Sequence, residues 1–90
     1  MVKAQVSIYS FENYENLGET VREFWNILKS YRLNFISNSI STIIWSDDGS
    51  LIFEVLKVSF EKFKKNKLVF DIKILNFGPY PDFQIKDSEI

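Results

Sequence analysis

The chain contains no cysteine and no histidine. The first absence rules out disulfides, thiolate nucleophiles and cysteine metal sites, and a secreted disulfide-stapled scaffold with them. The second removes the usual general base near neutral pH and the commonest metal ligand. Glycine is scarce: three residues, at 18, 49 and 78, too scattered to make a phosphate-cradling loop. Neither sign of charge dominates, since 11 basic residues meet 12 acidic ones for a net charge of −1. Bulk electrostatics therefore gives no reason to expect a nucleic acid or an anionic membrane as partner. No apolar run approaches a membrane span, and Met1-Val2-Lys3-Ala4-Gln5 lacks an apolar leader region. A cytoplasmic location is the default expectation.

What remains is an ordinary globular inventory on a short chain. Ninety residues, 46% hydrophobic and 26% charged, are expected to form one domain over 1–90. A chain this short buries roughly 60–65% of its unfolded surface, enough for one modest core. Nine Phe raise the aromatic share to 17%, and bulky rings fill a small core efficiently. From Gly78 the chain carries Pro79 and Pro81 without periodicity and reads as an extended tail.

The first strand, Val2 to Phe11, sets two kinds of side chain on opposite faces, because successive residues of a strand alternate sides. Ala4, Val6 and Ile8 read as core. Lys3, Gln5, Ser7 and Tyr9 form the other row, where an amide, a hydroxyl and a phenol could hold a small polar ring. A helix is predicted from Leu17 to Tyr31, with Leu17, Val21, Phe24, Leu28 and Tyr31 as its apolar stripe and Asn16 with Glu19 spaced as a capping box. Glu19, Arg22, Glu23 and Lys29 fall on its wet side. A short strand, Leu33 to Ser37, then turns at Asn38-Ser39 into a third, Ile40 to Trp45. Ser46-Asp47-Asp48-Gly49-Ser50 supplies N-cap candidates for a second helix reaching Lys65, with Ile52, Val55, Leu56, Ser59, Phe60 and Phe63 inward. The last strand runs from Leu68 to Asn76.

Strand, helix, strand, strand, helix, strand is the split βαβ order. It predicts an α+β, ferredoxin-like βαββαβ domain: a four-stranded antiparallel sheet with two helices on one face. The opposite face is then uncovered in a single copy. If Phe70, Ile72 and Ile74 face the helices, the uncovered face carries Ile43, Trp45, Val69 and Leu75 beside Gln5, Ser7 and Asp71. Such a face is too apolar to stand in water alone, so self-association through the sheets is expected, as a homodimer or homotetramer.

Three pieces of the chain, in order and at their spacing, carry a family likeness: Ala4-Gln5-Val6-Ser7-Ile8-Tyr9, then Ile40-Ser41-Thr42-Ile43-Ile44-Trp45-Ser46-Asp47, then the closing strand with Asn76 and Pro79. Together they resemble the YkoF-like thiamine/hydroxymethylpyrimidine-binding family, over nearly the whole chain to about Pro81. The chain departs from that pattern in two loops, with Ser46 in place of a glycine and Asn38-Ser39 in place of Gly-Pro. The resemblance implies a sheet-assembled ferredoxin-like oligomer that binds thiamine or its hydroxymethylpyrimidine half without converting it. No metal and no other cofactor is implied.

By the resemblance, Gln5, Ser7, Ser41, Thr42 and Asn76 are candidate ligand contacts, and strand alternation adds Asp71. An aminopyrimidine pairs an amine donor with ring-nitrogen acceptors on a flat surface, so an amide, a hydroxyl or carboxylate and a stacking plate suit it. Tyr9 or Trp45 would be that plate. Each residue also has a plainer role. Gln5 and Ser7 can line a polar subunit contact, Thr42 can pack on the helix side, and Tyr9 and Trp45 can fill an interface. Asp71 can pair with Lys73 at the surface, and Asn76 can merely end its strand.

Other readings fare worse. Helix capping accounts for Asp47 and Asp48 better than a hard-metal site with Glu54 does. Lys62, Lys64, Lys65 and Lys67 suit the end of a helix dipole. No nucleophile–base pair is present, so an enzyme is not expected. Single-stranded RNA binding, which this topology serves elsewhere, lacks its basic aromatic motif here. The serious alternative is a protein-interaction module whose open sheet face oligomerises with no metabolite.

Overall fold

The computed structural model describes residues 1–10 and 17–77. Its organising element is the strand β1, Val2–Ser10, which is hydrogen-bonded along both edges. After it come α1 (Leu17–Ser30), β2 (Asn34–Ser37), β3 (Thr42–Ser46), α2 (Gly49–Lys62) and β4 (Leu68–Leu75). The sheet order is β2-β3-β1-β4 with every pairing antiparallel. This is the expected α+β, ferredoxin-like fold. No described helix is long and apolar enough to cross a membrane.

The register explains the two faces. Ala4 lies between Ile44 and Ile74, and Val6 between Thr42 and Ile72. Those residues face the helices, where Ala4, Val6 and Ile44 join Phe24, Leu28, Ile52 and Val55 in the buried core. An edge-on aromatic chain ties the layers together: Phe70 of β4 meets Phe24 of α1 at 6.5 Å and Phe60 of α2 at 4.7 Å between ring centroids. Such pairs each contribute about 0.5–1.5 kcal/mol beyond burial alone.

The helix ends follow local chemistry. Asp48 caps α2 by accepting from the Ser50 backbone N–H at 3.0 Å and the Ser50 hydroxyl at 2.6 Å. At the other helix, Leu33 N–H donates to Leu28 C=O and Arg32 N–H to Lys29 C=O, both at 3.0 Å. That is the Schellman closure, and it puts Arg32 at φ 56°, a conformation in which a Cβ is strained.

Three expectations need correction. The hairpin turn is not at Asn38-Ser39. Ser37 pairs with Thr42, and Asn38 N–H donates to Ser41 C=O at 2.9 Å, leaving Ser39-Ile40 at the tip. The Asn38 side chain draws the turn forward by accepting from the Ile40 and Ser41 N–H groups, each at 2.8 Å. The second helix ends at Lys62 rather than Lys65, because Phe63 closes it with an N–H bond back to Ser59. Phe60 is 49% exposed, since it lies at the flank of α2 and only leans on Phe70. The proposed Asn16–Glu19 capping box, Phe11 and the tail from Gly78 fall outside the described residues.

Two measurements check this description. Arg32→Gly relieves the left-handed strain, partly offset by a looser unfolded chain, and should stabilise the fold by roughly 0.5–1 kcal/mol in urea unfolding. The hydrogen bonds from Ser50 hold the Asp48 carboxyl below its ordinary value of 3.8. Its folded value being depressed, the stabilisation is complete above that pH and lost as pH falls through the folded value. The stability difference between wild type and Asp48→Asn should therefore narrow below about pH 3.8 and stay constant above it.

Candidate functional site

Alternation along β1 places Lys3, Gln5, Ser7 and Tyr9 on the face away from the helices, and each meets a defined neighbour. Gln5 sits between Ile43 and Lys73, Ser7 opposite Asp71, and Tyr9 opposite Val69. Lys3 lies between Trp45 and Leu75, and beyond them Asn34 and Ile36 of β2 pair with Trp45 and Ile43. The open face thus has a polar centre with apolar margins.

One hydrogen-bonded relay fixes that centre. Gln5 donates from Nε2 to the Ser41 hydroxyl at 3.2 Å, and the Ser41 hydroxyl donates to Asn38 Oδ1 at 3.3 Å. Asn38 therefore anchors both the hairpin turn and the orientation of Gln5. Only one N–H of the Gln5 amide is engaged in this relay, and the group can still offer both a donor and an acceptor to a guest. A hollow of ≈250 Å³ opens beside it, lined by Lys3, Gln5, Ile43, Lys73, Ile74 and Leu75.

The sequence-derived candidates divide accordingly. Gln5, Ser7, Ser41, Asp71 and Tyr9 fall on one contiguous stretch of the open face. Tyr9, 51% exposed, stands at its far end. Trp45 shares the face but lies at the opposite end of the sheet, beside Lys3 and Asn34. Asn76 follows the end of β4 and is exposed there, on the side of Trp45 rather than of Ser7. Thr42 is buried on the helix face, where its Oγ1 accepts a hydrogen bond from Trp25 Nε1 at 2.9 Å.

Thr42 and Trp25 belong instead to a second, smaller cleft of ≈120 Å³ between α1 and the hairpin turn. Val6, Ile8, Leu17, Val21 and Ile40 also line it, as do Asn38 and Ser41. Trp25, Asn38, Lys3 and Lys73 were not among the sequence-derived candidates. Trp25 could have been found from its spacing, one turn after Val21 and two after Leu17 along the same line of α1. Among the described residues no cluster of acidic side chains is suited to hold a metal ion.

No protein-family model and no curated protein matches this chain. Solved structures do. A hypothetical protein from Methanocaldococcus jannascii superposes with a TM-score of 0.78 at 19% identity, over 98% of this chain and 95% of its own. A protein from Thermotoga maritima, provisionally described as a thiamine biosynthesis/salvage protein, gives 0.80 at 12% identity over 97% of both chains. A DUF77 domain of unknown function from Bacillus cereus gives 0.75 at 12% identity, over 93% of this chain and 86% of that one. At these identities the likeness establishes the fold.

The Trp25–Thr42 bond offers a clean check on the helix-side cleft. Thr42→Val keeps the shape but leaves the indole N–H without its acceptor in a part-buried position, so stability should fall by about 1–2 kcal/mol. The Trp fluorescence should shift with it. Thr42→Ser, which retains the hydroxyl, should leave the emission maximum unchanged.

Proposed function

We propose that this protein is a non-catalytic binding protein for thiamine or its hydroxymethylpyrimidine moiety, acting as a homo-oligomer with the ligand held against the open sheet face at a subunit contact. The observation that carries this reading is the Gln5–Ser41–Asn38 relay, which holds an amide ready beside Ser7 and Asp71. The Thermotoga maritima neighbour supports it, as does the sequence resemblance at Gln5, Ser7 and Ser41. The absence of histidine and cysteine supports binding over conversion.

Size argues for a subunit contact. Neither of these two hollows reaches the roughly 300 Å³ at which small-molecule pockets begin, so on the open face the described residues of one protomer supply a floor without walls. Charge argues for the pyrimidine half. Lys3 and Lys73 line the open-face hollow, which disfavours a thiazolium cation and leaves a neutral ring unpenalised.

A second reading has its own support. Ile36 and Val69 are 36% and 37% exposed on the open face, so the face could serve a protein contact with no metabolite. Calorimetric titration separates the two. Free hydroxymethylpyrimidine should bind, and more tightly than thiamine. The Gln5→Ala/Ser7→Ala double variant should lose at least roughly tenfold in affinity, at about 1 kcal/mol per hydrogen bond, while keeping its oligomeric mass. No heat from either compound at millimolar concentration removes the ligand reading, and a broken oligomer in the double variant favours the interaction module.

A further inference from the structure

The charges of the open face are lopsided. Among the described residues its rows hold two bases, Lys3 and Lys73, against one acid, Asp71, on a chain whose net charge is −1. Lys3 pairs with Leu75 and Gln5 with Lys73, so the two lysines are diagonal neighbours across β1 and β4. Diagonal positions of this kind lie roughly 7–8 Å apart, within reach of two long side chains. Both lysines line the ≈250 Å³ hollow beside Ile43 and Leu75, and Asp71 does not line it. Among the described residues Asp71 and Lys73 form no ion pair, although they share a strand face two positions apart. An ammonium carries three N–H donors, so a lysine that already holds one partner can still turn a donor to an anion.

Two cations above an apolar floor suit an amphiphilic anion. Ammonium groups act as separate point charges, whereas a planar carboxylate is matched best by the fork of an arginine. No arginine lines the hollow. A phosphate monoester brings three acceptor oxygens and about 1.5–2 negative charges at pH 7, enough to engage both lysines at once.

We infer that Lys3 and Lys73 form an anion subsite beside the polar row, and that the ligand is taken as a phosphate monoester, with the phosphate on the hydroxymethyl arm of the pyrimidine. The identity of the ring rests on the binding role proposed above; the anion subsite does not. With the ring against Gln5 and Ser7, the arm has to cover only the roughly 7 Å between successive same-face positions of β1, part of which the lysine stems supply. The phosphate then provides the opposite charge that lysines enclosed at a contact require.

Titration calorimetry with four probes tests this: free hydroxymethylpyrimidine, its phosphate monoester, phenyl phosphate and phenol. The ester should bind at least roughly tenfold more tightly than the free ring, the gain expected of charge-assisted hydrogen bonds from two lysines. That ratio should shrink as salt is raised. In the Lys3→Gln/Lys73→Gln double variant it should collapse toward one, and a ratio cancels any change that affects both compounds alike. Lys57→Gln removes the same charge from the exposed side of α2 and should leave the ratio at its wild-type value. Phenyl phosphate, which keeps a flat ring and the anion but has no pyrimidine edge, should bind where phenol does not, and only while the two lysines are present. An ester no tighter than the free ring, or a ratio that survives the double substitution, overturns the anion subsite and leaves the ring assignment standing. If neither pyrimidine binds but phenyl phosphate does so through the lysines, the subsite stands and the ring assignment falls. No heat from any of the four removes both.

Discussion

The structure depends on β1 being held in register from both sides. Ala4 and Val6 are each opposed by core residues of β3 and β4, and Gln5 by Ile43 and Lys73. A slip of one residue in either ladder would turn Ala4 and Val6 out to solvent and bring Gln5 and Ser7 under the helices. Burying an amide and a hydroxyl without partners costs on the order of 1–3 kcal/mol for each group, so the register is strongly specified. The same constraint that builds the core therefore assembles the polar row opposite it. Site and core are two sides of one alternation.

From that alignment follow the aromatic contacts that lock the layers. Phe70 belongs to the helix-facing row of an edge strand, and its ring takes Phe24 and Phe60 edge-on. This anchors both helices toward the β4 side at one end of the strand. Among the described residues no aromatic pair covers Ile74 at the other end, and it is 42% exposed where Ile44, two strands away in the same layer, is fully buried. Among the described residues, the uneven cover of β4 follows from where its one aromatic residue, Phe70, falls along it.

Much of this was legible in the sequence because period-two alternation needs no knowledge of partners. The division of Val69, Asp71, Lys73 and Leu75 from Phe70, Ile72 and Ile74 could be read directly, and so could the division of Ile43 and Trp45 from Ile44. It survived a misplaced turn for a simple reason. A turn at Asn38-Ser39 would pair Ser37 with Ile40, whereas Ser37 pairs with Thr42; the difference is two residues, which preserves the faces. What could not be read was anything set by side-chain hydrogen bonds across long sequence separations. Thr42 finds Trp25 and Ser41 finds Gln5, so neighbours in sequence serve opposite faces of the sheet. Phe60 departs from the expected inward stripe because such a stripe gives an angle and not the distance to the sheet's edge.

The balance of charge on the open face narrows what that face can do. Lys3, Lys73 and Asp71 lie on adjacent strands around Gln5 and Ser7, in a region otherwise of Ile, Val, Leu and Trp. Left in water, these charges keep a half-apolar face soluble. Enclosed by a second copy, an uncompensated lysine would cost several kcal/mol, so association requires each charge to find an opposite one or to stay at the rim. Asp71 is the only acid described on β4 and Lys73 the only base, so the described strand brings no net charge to a contact. The chemistry of the face thus disfavours an arbitrary apolar partner and suits one that brings an opposite charge to each of these groups. Under the binding role proposed above, a small neutral ring with donor and acceptor edges is a guest that leaves that balance undisturbed.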